Sequence, residues 1–207
     1  MTALEETIAS LVRATIARRL YEGSPVDVAV ARHEGAHCLA AFATRAPALR
    51  GVHVDYAGGG ETVNCAPKPA GTPDESREAI LERLCREHPA ELAAVVRRQC
   101  VTIFAGRASD EHGRADLSGW QHDEDEAAFL AESTVGVEER DTFLAPLRIA
   151  ATSLVTSGWP VICELATLLS YERRIPGSYL AAWFEERPAA RSLRDHYGAV
   201  FASVESA

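Results

Sequence analysis

Lysine is nearly absent from the sequence, and positive charge as a whole is in deficit. Lys68 is the only lysine, so arginine supplies almost all of the 21 basic residues, against 30 acidic residues and a formal net charge of −9. Proteins that bind a nucleic-acid duplex normally present a basic face. The composition therefore argues against a nucleic-acid partner, and we interpret the preference for arginine as a compositional bias without functional meaning.

Cysteine pairs at metal-binding spacing are also missing. The sequence contains no C-x-x-C, and an odd number of cysteines cannot all be paired in disulfides. Neither a zinc site built from cysteines nor the disulfide framework of a small secreted protein fits this pattern. We expect reduced, mostly buried thiols and a cytoplasmic protein. The cysteines are Cys38, Cys65, Cys85, Cys100 and Cys163.

Long apolar runs are missing as well. No run of about 18 apolar residues occurs, so the sequence predicts no membrane span and no membrane partner. Residues 1–22 begin with acidic residues and place apolar residues at helical spacing, whereas a signal peptide begins with positive charge and continues as an apolar block. We interpret 1–22 as an amphipathic helix that packs on the body of the protein.

Helical periodicity dominates what is present. The sequence predicts a mainly α fold and a single domain over 1–207, with an N-terminal helix at 1–22, a core at 24–187 and a C-terminal helix or tail at 188–207. We find neither internal repeats nor a low-complexity linker that would divide this domain.

Prolines mark where the predicted helices break or bend. Pro89 splits the helical stretch from 75 to 112, and Pro146 is expected to kink a later helix. A further helix is expected to begin at Pro160 and to end before Pro176, because proline is favourable in the first turn and cannot continue a helix.

One stretch reads as β structure. In GVHVDYAGGGETVNC at 51–65, apolar and polar residues alternate up to three consecutive glycines, and the β-branched residues Thr62 and Val63 follow, which predicts a small β-hairpin or sheet. The hairpin is either purely structural or supplies an edge strand that pairs with an extended substrate backbone. The glycines at 58–60 are followed by neither a Lys-Ser/Thr pair nor a helix start, so a phosphate-binding loop is not expected.

The predicted helix at 24–44 carries the pattern H-E-x-x-H as HEGAH at 33–37. His33 and His37 lie on one face of a helix, so both can bind one zinc ion. Glu34 lies about 100° around the helix, beside the open position of such a metal, where a carboxylate can take a proton from water and pass it to a leaving amine. The motif therefore predicts His33 and His37 as zinc ligands and Glu34 as the general base.

A third ligand has to come from a later segment, because the extended pattern H-E-x-x-H-x-x-G-x-x-H is absent. Acidic candidates lie in SGWQHDEDEAAFLAES at 118–133. Asp123 shares a helix face with apolar Ala127 and Leu130, whereas Asp125 points about 200° away from it. Asp125 shares a face with Phe129, so periodicity favours Asp123 without excluding Asp125.

Three other side chains receive a structural interpretation. Arg107 and Glu111 are one helical turn apart, which predicts an ion pair on the surface or between helices. Cys38 follows the predicted ligand His37 but turns about 100° away from it, so we expect core packing and not a fourth ligand.

Several segments together resemble the peptidase domain of the FtsH-type ATP-dependent zinc metallopeptidases. The HEGAH helix is similar to the zinc helix of that family, and the glycine-containing β stretch to the strand and turn that follow it. Later segments are similar to its AGRxAEE helix, to its G-A-x-N-D-L-x-x-A-T stretch and to its C-terminal helix and turn. The segments are ARHEGAHCLA at 31–40, LRGVHVDYAGGGETVNC at 49–65, VTIFAGRASDEH at 101–112, SGWQHDEDEAAFLAES at 118–133 and ICELATLLSYERRIPGSYL at 162–180.

The resemblance covers about residues 28–182 and carries implications for individual residues. It implies that Asp123, which falls on the aspartate of the family motif, is the third zinc ligand. His122 falls on the asparagine, and is either a transition-state stabiliser or a solvated neighbour of Asp123. Glu124 replaces the leucine of the family. In a departure from that family, we expect a peptidase domain that stands alone, without an ATPase module or a membrane anchor.

These features predict a zinc-dependent metallopeptidase that hydrolyses peptides or unfolded protein, with water on the zinc activated by Glu34. Folded substrates are not expected, because unfolding them requires an ATPase. One alternative is a non-catalytic, metal-stabilised interaction or regulatory module derived from such a protease. Another is a protease of narrow specificity that cuts one regulator. Glu34 favours catalysis, since a structural zinc site has no use for a base, and the sequence leaves a homo-oligomer open.

Overall fold

The structure is a computed structural model in which residues 28–46, 49–54, 60–64, 76–115 and 120–205 are described. Over these residues the chain is mainly helical with one small antiparallel sheet, which confirms the predicted fold class at this level. The helix predicted at 1–22 lies outside the described residues.

Seven helices and three strands make up this part of the chain. In chain order they are α1 (Val28–Thr44), β1 (Leu49–Val54), β2 (Gly60–Asn64), α2 (Arg77–Glu87), α3 (Pro89–Gly113), α4 (Trp120–Val135), α5 (Arg140–Glu172), β3 (Arg174–Pro176), α6 (Gly177–Glu185) and α7 (Pro188–Glu205).

Helix α1, which carries the H-E-x-x-H pattern, lies at the centre of the described structure. It packs chiefly against α3 and α5, and it also contacts α7 and the sheet. Small residues make this close packing feasible. A Cβ atom on Gly158 of α5 would lie 2.4 Å from Leu39 Cδ2, so the absence of a side chain at position 158 makes room for Leu39 between the two helices. The helix that carries the H-E-x-x-H pattern is therefore held on several sides by its neighbours.

Helix α5 passes through both of its prolines without ending. The prediction that a separate helix begins at Pro160 is wrong, since one helix includes Pro146 and Pro160. A proline inside a helix costs about 3 kcal/mol, whereas fully burying a leucine or isoleucine contributes about 1.5–3 kcal/mol. Leu154, Ile162 and Leu165 are all fully buried on this helix. Tertiary packing therefore outweighs the cost of the two prolines.

By length and composition, α5 is the one helix in the described part of the chain that could cross a membrane. Core helices of globular proteins pass the same test. Because α5 packs against α1, α3 and α4, we interpret it as a core helix.

The sheet has the strand order β2-β1-β3, and both pairings are antiparallel. The β1–β2 pair is the predicted hairpin, with Val52 opposite Thr62. The expectation that 51–65 is the only β element is wrong, because β3 pairs with β1 on its other edge. Only Ile175 of its three residues is buried, which is too little for a sequence signal.

The boundaries of α2 and α3 follow from proline and capping residues in the local sequence. Helix α2 ends at Glu87 and α3 begins at Pro89, so the predicted split at that proline is confirmed. The side chain of Ser76 caps α2 by accepting a hydrogen bond from the amide of Ala79. Within the predicted C-terminal segment, a helix runs over Pro188–Glu205 and packs on α1 and α5.

Candidate metal centre

The two histidines of α1 converge at one point. His33 and His37 are separated by one helical turn, and their Nε2 atoms lie 3.0 Å apart. The two rings stand nearly perpendicular to each other, with an interplanar angle of 82°. His37 is 8% exposed and therefore largely shielded from water. The arrangement follows from the helical period, which places residues i and i+4 on one face.

The other ring nitrogen of each histidine is held by α3. His37 Nδ1 donates to the backbone carbonyl of Thr102 at 2.7 Å, and His33 Nδ1 donates to Asp110 Oδ2 at 2.9 Å. A carbonyl oxygen and a carboxylate only accept, so each Nδ1 carries a hydrogen and the lone pair of a neutral ring is on Nε2. Metal-binding histidines typically have such partners, which fix the ring and raise its basicity.

Asp123 of α4 completes the group. Its Oδ2 atom lies 3.3 Å from His33 Nε2 and 3.4 Å from His37 Nε2. That oxygen is buried and, within the described residues, has no hydrogen-bond donor in good geometry. A buried carboxylate oxygen without a donor is costly unless a cation neutralises it. The point where the three atoms meet is therefore suited to a positive charge.

The electrostatics of the group lead to the same conclusion. Burial lowers the pKa of His33, but the hydrogen bond to Asp110, the close approach of the Asp123 carboxylate and the negative charges of Asp110 and Glu34 outweigh it and raise that pKa to about 10. Burial raises the pKa of Asp123, but the adjacent imidazoles of His33 and His37 outweigh it and hold that pKa well below its usual range. Positive charge is thus favoured between these side chains, whether it is a proton on Nε2 or a metal cation.

The spacing of the three atoms matches a tetrahedral metal. Ligand distances of about 2.0–2.1 Å place the corners of a tetrahedron about 3.3–3.4 Å apart. The observed separations are 3.0, 3.3 and 3.4 Å. His33, His37 and Asp123 therefore fit a zinc-sized ion with shifts of a few tenths of an ångström and leave a fourth position open. Two imidazoles and a carboxylate suit zinc, although other first-row metals bind similar ligands.

Gly106 of α3 packs directly against the imidazole rings of His33 and His37. A Cβ atom at this position would lie 2.5 Å from His37 Nε2 and 2.6 Å from His33 Nε2. Any side chain here would collide with the atoms that converge on the metal position. Sequence reasoning gave Gly106 no role. A signal was present, because glycine in a helix interior is unfavourable and therefore often has a packing or functional reason.

The other predicted site residues occupy distinct positions. Glu34 is only 5% exposed and follows His33 on α1, where its negative charge contributes to the raised pKa of His33. His122 and Asp125 are exposed and do not belong to the group of three. Cys38 is fully buried, as its core interpretation predicts. Of the polar residues at 122–126, the structure brings Asp123 alone to the histidines, while its role as a ligand stays a prediction.

Replacing Asp123 tests the third ligand against its neighbour on the same helix. We expect Asp123→Ala to lower zinc affinity by more than about 100-fold, since even losses around the ligands cost about 10–100-fold. Asp125→Ala, the matched control, is expected to keep the affinity because its side chain is exposed. Competition with a chromophoric chelator measures both constants. Loss of affinity in Asp125→Ala alone would contradict the assignment.

A comparison of the chain with models of protein families, and another with curated proteins, finds no match. The similarity to FtsH-type peptidases therefore rests on the sequence segments quoted above.

Proposed function

We propose that the protein is a zinc-dependent metallopeptidase of the H-E-x-x-H type, with His33, His37 and Asp123 as ligands and Glu34 as general base. One observation carries the proposal, namely that His33 Nε2, His37 Nε2 and Asp123 Oδ2 meet at tetrahedral spacing. The buried carboxylate of Glu34 is on the same helix, adjacent to a ligand. A structural zinc site would require no base there.

In the proposed hydrolysis, the metal ligands and the general base have separate roles. A zinc ion, when bound, supplies a Lewis acid that polarises a carbonyl and makes water more acidic. His33 and His37 offer neutral nitrogen ligands, and the carboxylate of Asp123 offsets part of the metal charge. Glu34 accepts a proton from the attacking water and passes it to the nitrogen of the leaving amine. Hydrolysis then consumes one water and yields a carboxylate and an amine.

The FtsH-type peptidase fold is part of the proposal. Its support is the order of the matching elements, in which the zinc helix α1 is followed by a hairpin, the AGR-containing α3 and the aspartate-bearing α4. The proposed substrates are peptides or unfolded protein in the cytoplasm. The acidic composition supports the absence of a nucleic-acid partner.

Metal analysis combined with a proteolysis assay tests this function. Protein purified without added metal is expected to contain about one zinc per chain and to cut an unfolded casein-like substrate into fragments detectable by mass spectrometry. A chelator should stop cleavage and lower the thermal midpoint, because metal-binding energy is partly folding energy, and added zinc should restore both. Protein that contains no zinc and takes up none on titration would contradict the proposal.

A further inference from the structure

Glu124, the residue that follows the third ligand, bridges two helices. Its Oε1 atom accepts from Arg107 Nη1 of α3 at 2.9 Å, and its Oε2 atom accepts from Arg148 Nη2 of α5 at 2.7 Å. Both carboxylate oxygens are therefore used in charge-assisted hydrogen bonds, which are stronger than neutral ones. The first turn of α4 is tied in this way to two of the helices on which it packs.

Both arginines are themselves held in place. Arg107 also donates from Nε to Glu111 at 2.8 Å, the ion pair that the sequence predicts. The guanidinium of Arg148 lies over the ring of Phe104, with its carbon 4.7 Å from the ring centroid. Glu124 thus meets two cations whose positions are set by α3, the helix that also contacts the histidines.

Two adjacent residues of α3 contact the two parts of the metal centre, the histidine pair on α1 and the first turn of α4. Gly106 lies against the rings of His33 and His37, and Arg107 binds the residue next to Asp123. A displacement of α4 relative to α3 would therefore move Asp123 Oδ2 away from the imidazole nitrogens. Separations of 3.3 and 3.4 Å leave little tolerance before tetrahedral spacing is lost.

From these contacts we infer that Glu124 is a positioning residue for the metal centre. Clamped between Arg107 and Arg148, it fixes the first turn of α4 so that Asp123 meets His33 and His37. The inference rests on the proposed metal-binding function. It concerns a residue of this chain that departs from the sequence pattern of the FtsH-type peptidases, in which leucine stands at this position.

The free energy of unfolding should depend little on the two ion pairs that Glu124 makes with Arg107 and Arg148. The side chains of Arg107 and Arg148 are 40% and 42% exposed and that of Glu124 is 18% exposed, and ion pairs that are partly solvated in this way contribute little to folding. Metal affinity should depend on them strongly, because ligand geometry is sensitive to small displacements. These two readouts separate a positioning role from a merely structural one.

The test compares Glu124 with a matched ion pair on the same helix. Glu132, near the other end of α4, accepts from Arg140 Nη1 at 2.7 Å. We expect Glu124→Ala to lower zinc affinity about 10–100-fold, the range for residues that support metal ligands. Glu124→Gln, which keeps the volume and one acceptor, should fall between this variant and wild type. Glu132→Ala should keep wild-type affinity.

Zinc affinity is measured by chelator competition, ligand geometry by the visible spectrum of the cobalt-substituted protein, and fold by the thermal midpoint of the metal-free protein. A drop in affinity in Glu124→Ala, with a metal-free midpoint no lower than that of Glu132→Ala, supports the inference. Equal zinc affinity in Glu124→Ala and Glu132→Ala overturns the inference alone. Wild-type protein that binds no metal overturns both this inference and the proposed function.

Discussion

Glu34→Gln is expected to keep the metal and to lose peptide hydrolysis. The glutamine amide is nearly the same size as the carboxylate but cannot hold the proton taken from water. General-base catalysis contributes about 10²–10⁴-fold to a rate, so cleavage should fall by at least about 100-fold. Release of fluorescence from a quenched peptide measures the rate, and elemental analysis of the same sample measures zinc.

The matched control for this variant is a second Glu→Gln change away from the site. Glu164 of α5 is paired with Arg187, so Glu164→Gln removes one carboxylate charge without approaching the histidines. It should cleave as wild type does. Equal cleavage by Glu34→Gln and wild type would exclude Glu34 as the base. A wild type that holds one zinc per chain but cuts nothing would favour the metal-stabilised interaction module.

The convergence of His33, His37 and Asp123 was largely predictable from the sequence, because the period of each helix fixes the face on which its own residues lie. The helical period alone places His33 and His37 on one face. The apolar stripe through Ala127 and Leu130, both of which are buried, places Asp123 on the inner side of α4. Asp125, which periodicity left open, lies on the exposed side.

The partners of the histidines could not be predicted in the same way. Asp110 is 77 residues from His33 and Thr102 is 65 residues from His37 along the chain. Their positions depend on how α3 crosses α1, which is set by packing between helices. Sequence periodicity describes one helix at a time, so it gives no register between two helices. Gly106 differs in that a helix-interior glycine is itself a local signal of close packing, but the sequence does not show that the two imidazole rings are what it packs against.

The errors in the fold have a related cause. Local rules assign Pro160 to a helix start, but the burial of residues on the opposite face of α5 keeps the helix continuous. Strand β3 has three residues and a single buried side chain, so it exists mainly through its pairing with β1. Tertiary contacts therefore determine both the continuity of α5 and the presence of β3, neither of which the local sequence indicates.

Gly106→Ala is expected to destroy metal binding while the protein still folds. The new Cβ atom would lie 2.5–2.6 Å from atoms of both imidazoles, which is far inside contact distance. The rings cannot easily turn away, because Asp110 and Thr102 of the same helix hold their Nδ1 atoms. Either the Nε2 atoms separate or α3 moves away from α1, and both responses break the tetrahedral spacing. Zinc affinity should fall by more than about 100-fold.

The metal-free fold should tolerate this change, which is what makes the prediction specific. Overpacking typically costs about 1–3 kcal/mol, and replacing a helical glycine by alanine regains about 1 kcal/mol. The matched control is Gly35→Ala, inside the motif itself, where the nearest atom to a new Cβ is the carbonyl oxygen of Ile162 at 3.6 Å. That contact is ordinary, so Gly35→Ala should bind zinc as wild type does. Chelator competition measures the zinc affinity, and the thermal midpoint of the metal-free proteins measures the stability of the fold. Wild-type zinc affinity in Gly106→Ala would show that contact with α3 does not constrain the positions of the two imidazole rings.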